Sequence, residues 1–457
     1  MLNATVKAHR PYLRAAGGPQ KLFVMLALEP TSEAGRARPR VALALVLDTS
    51  GSMREPAPGI EPEVTPTAPF VVDGKTYNAT FNGRTKLDIA VEAARRVLES
   101  PHIQPDDTVS LIQFDDRSSV VAAGNAGADR AALLAGVDRL SEFSGGTHMG
   151  PGLHNAAREL QPHEDAGRTV FLLTDGRAVD EDECREAAGA LAQHQARIVA
   201  LGVGEEYNED LLADLSSATR GRPYDFRDMA ALPQILEDEL GAATRQVVSD
   251  VQVAVKTVRD VKLVSATRAY PSLADLDPTQ SPLQLGSLES GERTVFVLEF
   301  DVAERPAVRA RLAQIGITYW IPAERYRGEV TPIDLLVEFT EEEALAAAVD
   351  PEVMGYVQQR NVDALVRRAT EQATNDPVQA AKTLQVARAM TQRLGNRGMT
   401  VALGKAEEEL KGTGGISAGT RKTIKLGART RTMRVGGPDE TPQNVPSEED
   451  IRRMTGA

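Results

Sequence analysis

The 457-residue chain has a single cysteine, Cys184. No internal disulfide can form, so the fold needs no covalent staple, which fits a reducing compartment. Long apolar runs are missing too. The longest, Val41 to Leu47, falls far short of the roughly 20 residues that a membrane-spanning helix needs. The opening Met1-Leu2-Asn3-Ala4-Thr5-Val6-Lys7 lacks a basic stretch followed by an apolar one, so no secretory leader is expected. A cytoplasmic, soluble protein with no membrane contact is the default reading. Positive charge is not in excess: the net charge is −13, which argues against nucleic acid as the partner of the whole chain.

The marks of catalysis are also absent. There is no Gly-x-Ser-x-Gly elbow, and Gly404-Lys405-Ala406 lacks the hydroxyl of a phosphate-binding loop. His148 and His154 have no cysteine or paired histidine at zinc spacing, so surface or capping roles are expected of both. No base stands in the right context for a serine nucleophile. Cys184, on a predicted helix, is expected to be a small buried residue. An enzyme is therefore not expected.

What is present is enough apolar residue, 42%, for a large core, and enough length for two or three domains. Residues 1–39 show strand-like alternation around Lys21 to Leu28. From 40 to 245 apolar strands alternate with amphipathic helices. Val41 to Leu47, Thr169 to Thr174 and Ile198 to Val203 are continuous apolar strands of the kind buried on both faces of a parallel sheet. The predicted helices between them include Lys86 to Leu98, Gly150 to Leu160, Glu181 to Gln193 and Glu209 to Ala218. This alternation predicts a doubly wound α/β sheet. From 246 to 340 the period becomes that of strands, and a β-sandwich is expected, recruiting the strand of residues 1–39 so that the α/β domain is an insertion within it. Residues 341–411 predict a helical unit, with Asn375-Asp376-Pro377 as break and cap. Residues 412–457, rich in Gly, Thr, Arg and Pro, are expected to be a disordered, basic, threonine-rich tail.

Asp48, Ser50 and Ser52 follow the first buried strand directly. Alternating residues on a tight turn bearing Gly51 can aim their oxygens at one centre, on the carboxyl edge of the sheet where α/β ligand sites lie. Carboxylate and hydroxyl are hard donors suited to Mg²⁺ rather than to a thiolate-loving metal. Taken alone, Asp-x-Ser-x-Ser is a weak signal, because Ser, Thr and Asp cap helices and form turns everywhere. Thr147, before a helix, and Asp175, at the end of another buried strand, fall at the same predicted edge. With these five in order, Asp48, Ser50, Ser52, Thr147 and Asp175, the segment resembles the von Willebrand factor A family and its metal-ion-dependent adhesion site over about residues 40–245. The resemblance implies a Rossmann-like fold and a divalent cation, Mg²⁺ first with Mn²⁺ or Ca²⁺ as alternatives. It implies that the two serines and the threonine bind the metal, while the aspartates bind directly or through water. It also implies a protein partner that supplies an Asp or Glu to the metal, within a bacterial signalling or assembly complex.

Residues 54–84 depart from the family pattern, which has a short link there. Phe70 to Tyr77 reads as a hairpin with an Asp73-Gly74 turn. It either shapes the partner surface, bringing Glu61, Glu63 or Asp73 toward the ion, or is an inert insertion. Two other classes stay open. A-domain subunits of chelatases work with AAA+ ATPases. Some bacterial homologues carry a calcium-activated chloride-channel name, although a chain without a membrane segment forms no pore by itself. In the tail, Arg421, Lys422, Lys425, Arg429, Arg431 and Arg434 occur with no acid between them. Thr423, Thr430 and Thr432 beside them are candidate phosphorylation sites, and the pattern is similar to tails of bacterial von Willebrand A proteins associated with Ser/Thr kinases and forkhead-associated domains. A basic tail can equally bind acidic surfaces, this protein's own metal-site face included, or have no role.

Overall fold

The computed structural model describes residues 1–35, 38–59, 63–72, 75–226, 228–430 and 432–435, with the backbone alone for 63–72 and 75–82. Strands β1 (Leu2–Ala8), β2 (Tyr12–Arg14) and β3 (Gln20–Pro30) open the chain, and β1 lies antiparallel on β3. None of the three pairs with the next strand in the chain. That strand, β4 (Arg40–Asp48), begins a second, separate sheet, and it is buried from Val41 onward, as its unbroken apolar run requires. After it come a hairpin of β5 (Glu63–Val72) and β6 (Lys75–Asn82), α1 (Lys86–Glu99), β7 (Thr108–Phe114) and β8 (Ser118–Asn125). The alternation continues through α2 (Arg130–Arg139), α3 (Gly150–Leu160), β9 (Ala166–Thr174), α4 (Glu181–Gln193) and β10 (Arg197–Val203). It closes with α5 (Glu209–Ala218), β11 (Arg222–Phe226) and α6 (Leu232–Thr244).

The sheet order is β11-β10-β9-β4-β7-β8, parallel throughout except for β8. One face packs Leu43, Leu45, Phe171 and Leu201 against α1, α2 and α6. The other packs Ala44, Val46, Leu172 and Ala200 against α3, α4 and α5. Helix α1 starts on a capping box, Thr85 and Asp88 each satisfying the other's backbone N–H. The fold class expected from the alternation is the one observed. Strand β11 is absent from the sequence pattern because Arg222-Pro223-Tyr224-Asp225-Phe226 carries a proline and an aspartate, which only an edge position tolerates.

The chain then returns to β structure in β12 (Gln246–Thr257), β13 (Val261–Tyr270), β14 (Ala274–Leu276) and β15 (Leu283–Glu289). Strands β16 (Thr294–Val302), β17 (Arg309–Ile321) and β18 (Tyr326–Thr340) complete it. Two five-stranded sheets result, β1-β3-β16-β13-β14 and β15-β12-β17-β18-β2. Leu298 of β16 lies opposite Val24 of β3, so the N-terminal strands belong to this sandwich and the α/β unit is spliced between them. Leu22, Leu26, Phe296, Phe300, Ile315 and Phe339 fill the space between the sheets.

The helical end consists of α7 (Glu343–Ala347), α8 (Pro351–Gln372), α9 (Pro377–Arg393), α10 (Arg397–Thr413) and α11 (Ala418–Thr430). The predicted break at Asp376 is real, and its carboxylate caps α9. Helix α11 corrects the expectation of disorder from residue 412 on. It buries Ile424 and Ala428 in the helical core and Leu426 in the α/β core. Its apolar positions are too few to show a helical period, and its basic side chains find acids distant in sequence. Residues 436–457 of the expected tail lie outside the described residues. Among the described residues no helix is long and apolar enough to cross a membrane.

Candidate functional site at the carboxyl edge

Strands β4 and β9 are parallel neighbours, with Leu47 opposite Leu173, so the residues just beyond them, Asp48 and Thr174-Asp175, meet at one edge. Ser50 donates its backbone N–H to Asp48 Oδ1 at 2.8 Å, and Thr174 Oγ1 donates to Asp48 Oδ2 at 2.6 Å. The hydroxyls of Ser50 and Ser52 are 3.1 Å apart, and Ser52 Oγ donates to Asp175 Oδ1 at 2.7 Å. Four of the five expected residues thus form one hydrogen-bonded chain, joined at Asp48 through the Ser50 backbone N–H and elsewhere through hydroxyls. The fifth, Thr147, stands beside it. Gly51 N–H donates to Gly145 O at 3.0 Å, and a Cβ placed on Gly176 would lie 3.1 Å from Thr147 Oγ1. The Thr147 loop is therefore held between the other two.

Burial gives the site its electrostatics. Asp48 is 0% exposed and Asp175 1%. Desolvation pushes the Asp48 carboxyl up to about 6, against the hydrogen bonds from Ser50 and Thr174 that favour its charged form. Asp175 has a cation beside it. Lys86 Nζ, at the start of α1, lies 2.6 Å from Asp175 Oδ2 and 2.9 Å from Glu55 Oε2, and it reaches Ser52 O at 3.3 Å. Burial works against this ammonium, but Asp175 and Glu55 outweigh it and raise its pKa above the ordinary lysine value.

The pattern reading missed Lys86, and it missed two residues that hold the Thr147 loop. Asp116 Oδ1 accepts from Gly146 N–H at 2.9 Å. Asp180 accepts from the N–H groups of Met149 (3.1 Å) and Gly150 (2.8 Å), anchoring the start of α3 where the macrodipole favours negative charge. None of the three carries a sequence signal, because each contact joins positions at least 30 apart. His148 donates its backbone N–H to Asp115 O, while His154 lies 4.0 Å from Glu183. Cys184 is buried on α4, its thiol pKa pushed up by desolvation and by Asp180. In the 54–84 insertion, β5 and β6 pair with Phe70 opposite Tyr77. Glu61, Asp73 and Gly74 lie outside the described residues, as does the side chain of Glu63.

The phosphorylation candidates are placed differently from the expectation of an accessible tail. Thr423 is buried on α11, its hydroxyl donating to Asp225 Oδ2 at 3.1 Å. Thr430, the last residue of α11, donates to Leu426 O, and Thr432 is half-buried. The basic residues of the same helix are also occupied. Lys422 Nζ donates to Glu205 O and Tyr207 O, both at 2.7 Å, and sits 3.7 Å from the centre of the Tyr207 ring. Arg421 meets Glu209 at 2.9 Å, Lys425 meets Asp210 at 2.5 Å, and Arg429 meets Asp275 at 2.8 Å. Helix α11 therefore docks on the carboxyl edge near β10 and β11, on the far side of β9 from Asp48. Arg431 is outside the described residues, and Arg434 is exposed.

Residues 42–238 match the family model of the von Willebrand factor type A domain, and residues 351–434 match that of the Sll0103-like C-terminal α-helical domain. Among curated proteins, sll0103 from Synechocystis is 27% identical over 148 residues, 32% of this chain and 34% of that protein. Bovine vitrin is 26% identical over 145 residues, 31% of this chain and 21% of that protein. The matched part of the chain thus spans about a third or less of these relatives. A von Willebrand factor type A structure from Catenulispora acidiphila superposes with a TM-score of 0.76 at 18% identity, over 95% of this chain and 97% of that one. The ArnB paralog VWA2 from Sulfolobus acidocaldarius superposes with a TM-score of 0.59 at 14% identity, over 95% and 99%. At these identities the two structures share the fold, including the joined β and helical units.

Proposed function

From a chain that carries a von Willebrand factor type A domain and an Sll0103-like helical domain, we propose that the Asp48 edge is a protein-interaction site that works with a divalent cation, Mg²⁺ first. The observation that carries this reading is the make-up of the edge. The side chains of Asp48, Ser50, Ser52 and Asp175 converge with oxygen atoms only, with Thr147 alongside; Lys86 stands on Asp175, while the buried Asp48 carboxyl has no cation partner among the described residues. An all-oxygen set with two carboxylates fits a hard divalent ion and leaves that ion short of charge and ligands. Bound there, the ion supplies a position that an Asp or Glu of a partner protein completes.

The chain's own residues prepare this. Thr174 and the Ser50 N–H fix the Asp48 carboxylate, while Ser52 fixes Asp175. Asp116 and Asp180 hold the Thr147 loop in place against them. Lys86 keeps a positive charge on Asp175, so burying that carboxylate does not leave it unpaired. The proposal gives the chain no reaction of its own. We place it in a bacterial cytoplasmic complex, which its single buried cysteine suits.

The test is calorimetric titration of Mg²⁺ into chelator-stripped protein, with melting followed in parallel. Wild type should bind and melt higher, because a ligand that binds only the native state stabilises it. Asp48→Ala should bind no Mg²⁺ and show no shift. Equal Mg²⁺ binding by both proteins would overturn the reading.

A further inference from the structure

At the opposite, amino edge of the α/β sheet, a cavity of about 260 Å³ lies between that sheet and the sandwich. Arg197 and Arg222 enter it at the starts of β10 and β11, Arg245 just before β12, Arg220 from the turn after α5, and Arg268 from β13. Five arginines from both units therefore line it. Glu289 and Glu292 also line it. A third carboxylate, Glu239, stands behind Arg222 and Arg197, at 3.0 and 3.4 Å. Five positive charges against these three negative ones leave an excess of two; Asp250, which also acts on Arg220, is paired with Arg327 at 2.8 Å.

The excess is concentrated on two residues. Glu239 and Glu289 serve Arg197, Arg222 and Arg245. Arg220 and Arg268 have no carboxylate partner among the described residues. Arg268 is 8% exposed and donates only to neutral oxygens, those of Arg220, Gly221 and Ser272. Arg220 uses Nε on Gln284 O at 2.8 Å, which leaves its two terminal nitrogens for another acceptor. Burial lowers the pKa of both: at Arg220 it outweighs Asp250, and at Arg268 it acts together with Arg222, Arg197 and Arg220, against Glu289, to bring the value to about 9. Buried charges are ordinarily paired.

We propose that this cavity is an anion site that takes a phosphate group. A dianion matches the excess of two charges. Guanidinium forks present parallel N–H groups to phosphate oxygens, and junctions between units are where small-molecule sites concentrate. At roughly 30 Å³ per water, the space holds about nine waters, so a bare phosphate fills only part of it. Free phosphate and a phosphomonoester both meet the charge, and the remaining volume favours the ester. The site stands at the edge of the sheet opposite Asp48 and does not depend on the metal reading.

The test titrates inorganic phosphate and O-phosphoserine separately into the full chain, in chelator and at constant ionic strength set with chloride. Binding of either supports the proposal, and the tighter of the two identifies the free anion or the ester as the source. Arg220→Gln keeps a donor for Gln284 O but removes the unpaired charge, and should weaken binding at least tenfold. Glu292→Gln removes a negative charge from the lining and should tighten binding severalfold. No saturable heat from either ligand, or an affinity unchanged in both variants, would overturn it.

Discussion

Lys86 puts an ammonium where a second cation would compete. Its Nζ is 2.6 Å from Asp175 Oδ2, and Asp175 is buried, so the pair is poorly screened. Lys86→Met keeps the buried stem and removes the charge. Without metal this variant should melt below wild type, because a buried carboxylate has lost its partner. Its gain in melting temperature on adding Mg²⁺ should exceed that of wild type, because nothing then competes for Asp175. Fluorimetric melts across a Mg²⁺ series check this, and a smaller gain than in wild type would show that Lys86 assists the site rather than opposing it.

Among the elements, α8 shows how an end residue ties two units together. Asp350 accepts from the N–H groups of Glu352 and Val353, which caps the helix, and its Oδ2 lies 2.6 Å from Lys7 Nζ on β1. Burial pushes its carboxyl up, but Lys7 and the Val353 and Glu352 N–H groups outweigh burial and hold it below the usual aspartate value. A carboxyl depressed in the folded state contributes its stability above the unfolded value of about 3.9, and loses it as pH falls further. Asn is as good a cap as Asp, so Asp350→Asn should cost only the ion pair, up to about 1 kcal/mol. The deficit should be constant between pH 5 and 8, begin to shrink near pH 4 and disappear only below the depressed folded value of Asp350. Urea unfolding at a series of pH values checks it, and a deficit that persists at low pH would place the effect in the cap.

These same elements show what a pattern can carry. β4, β9 and β10 are legible because a strand covered on both faces has to be apolar at every position. β11 and α11 are not: β11 carries a proline and an aspartate that its edge position tolerates, and α11 is held by partners far away in the chain. Likewise Asp48, Ser50 and Ser52 announce themselves by spacing, whereas Lys86, Asp116 and Asp180 reach the same edge only through the folded backbone.

For the whole molecule, α11 is the clasp. It places Leu426 in the α/β core and Ile424 in the helical core, and Arg429 meets Asp275 of the sandwich. Ending the chain before Ala418 should therefore lower the melting temperature and let a protease into the carboxyl edge near Tyr207. Thr423→Glu makes the narrower test, because it puts a carboxylate beside Asp225 in a buried position. It should cost about 1–3 kcal/mol in unfolding experiments, a like-charge and desolvation cost. A neutral result would mean that α11 leaves the edge readily and that Thr423 is open to modification.

The sequence alone determined the class of the α/β, β and helical units and pointed to the five residues of the Asp48 edge. Hydrophobic period and motif spacing are local quantities, written in consecutive residues. Tertiary structure decided that the basic segment is a docked helix and that five arginines from two units share one cavity. It also decided that a lysine stands on Asp175. Charge compensation depends on distance in space, and spacing along the chain does not record it.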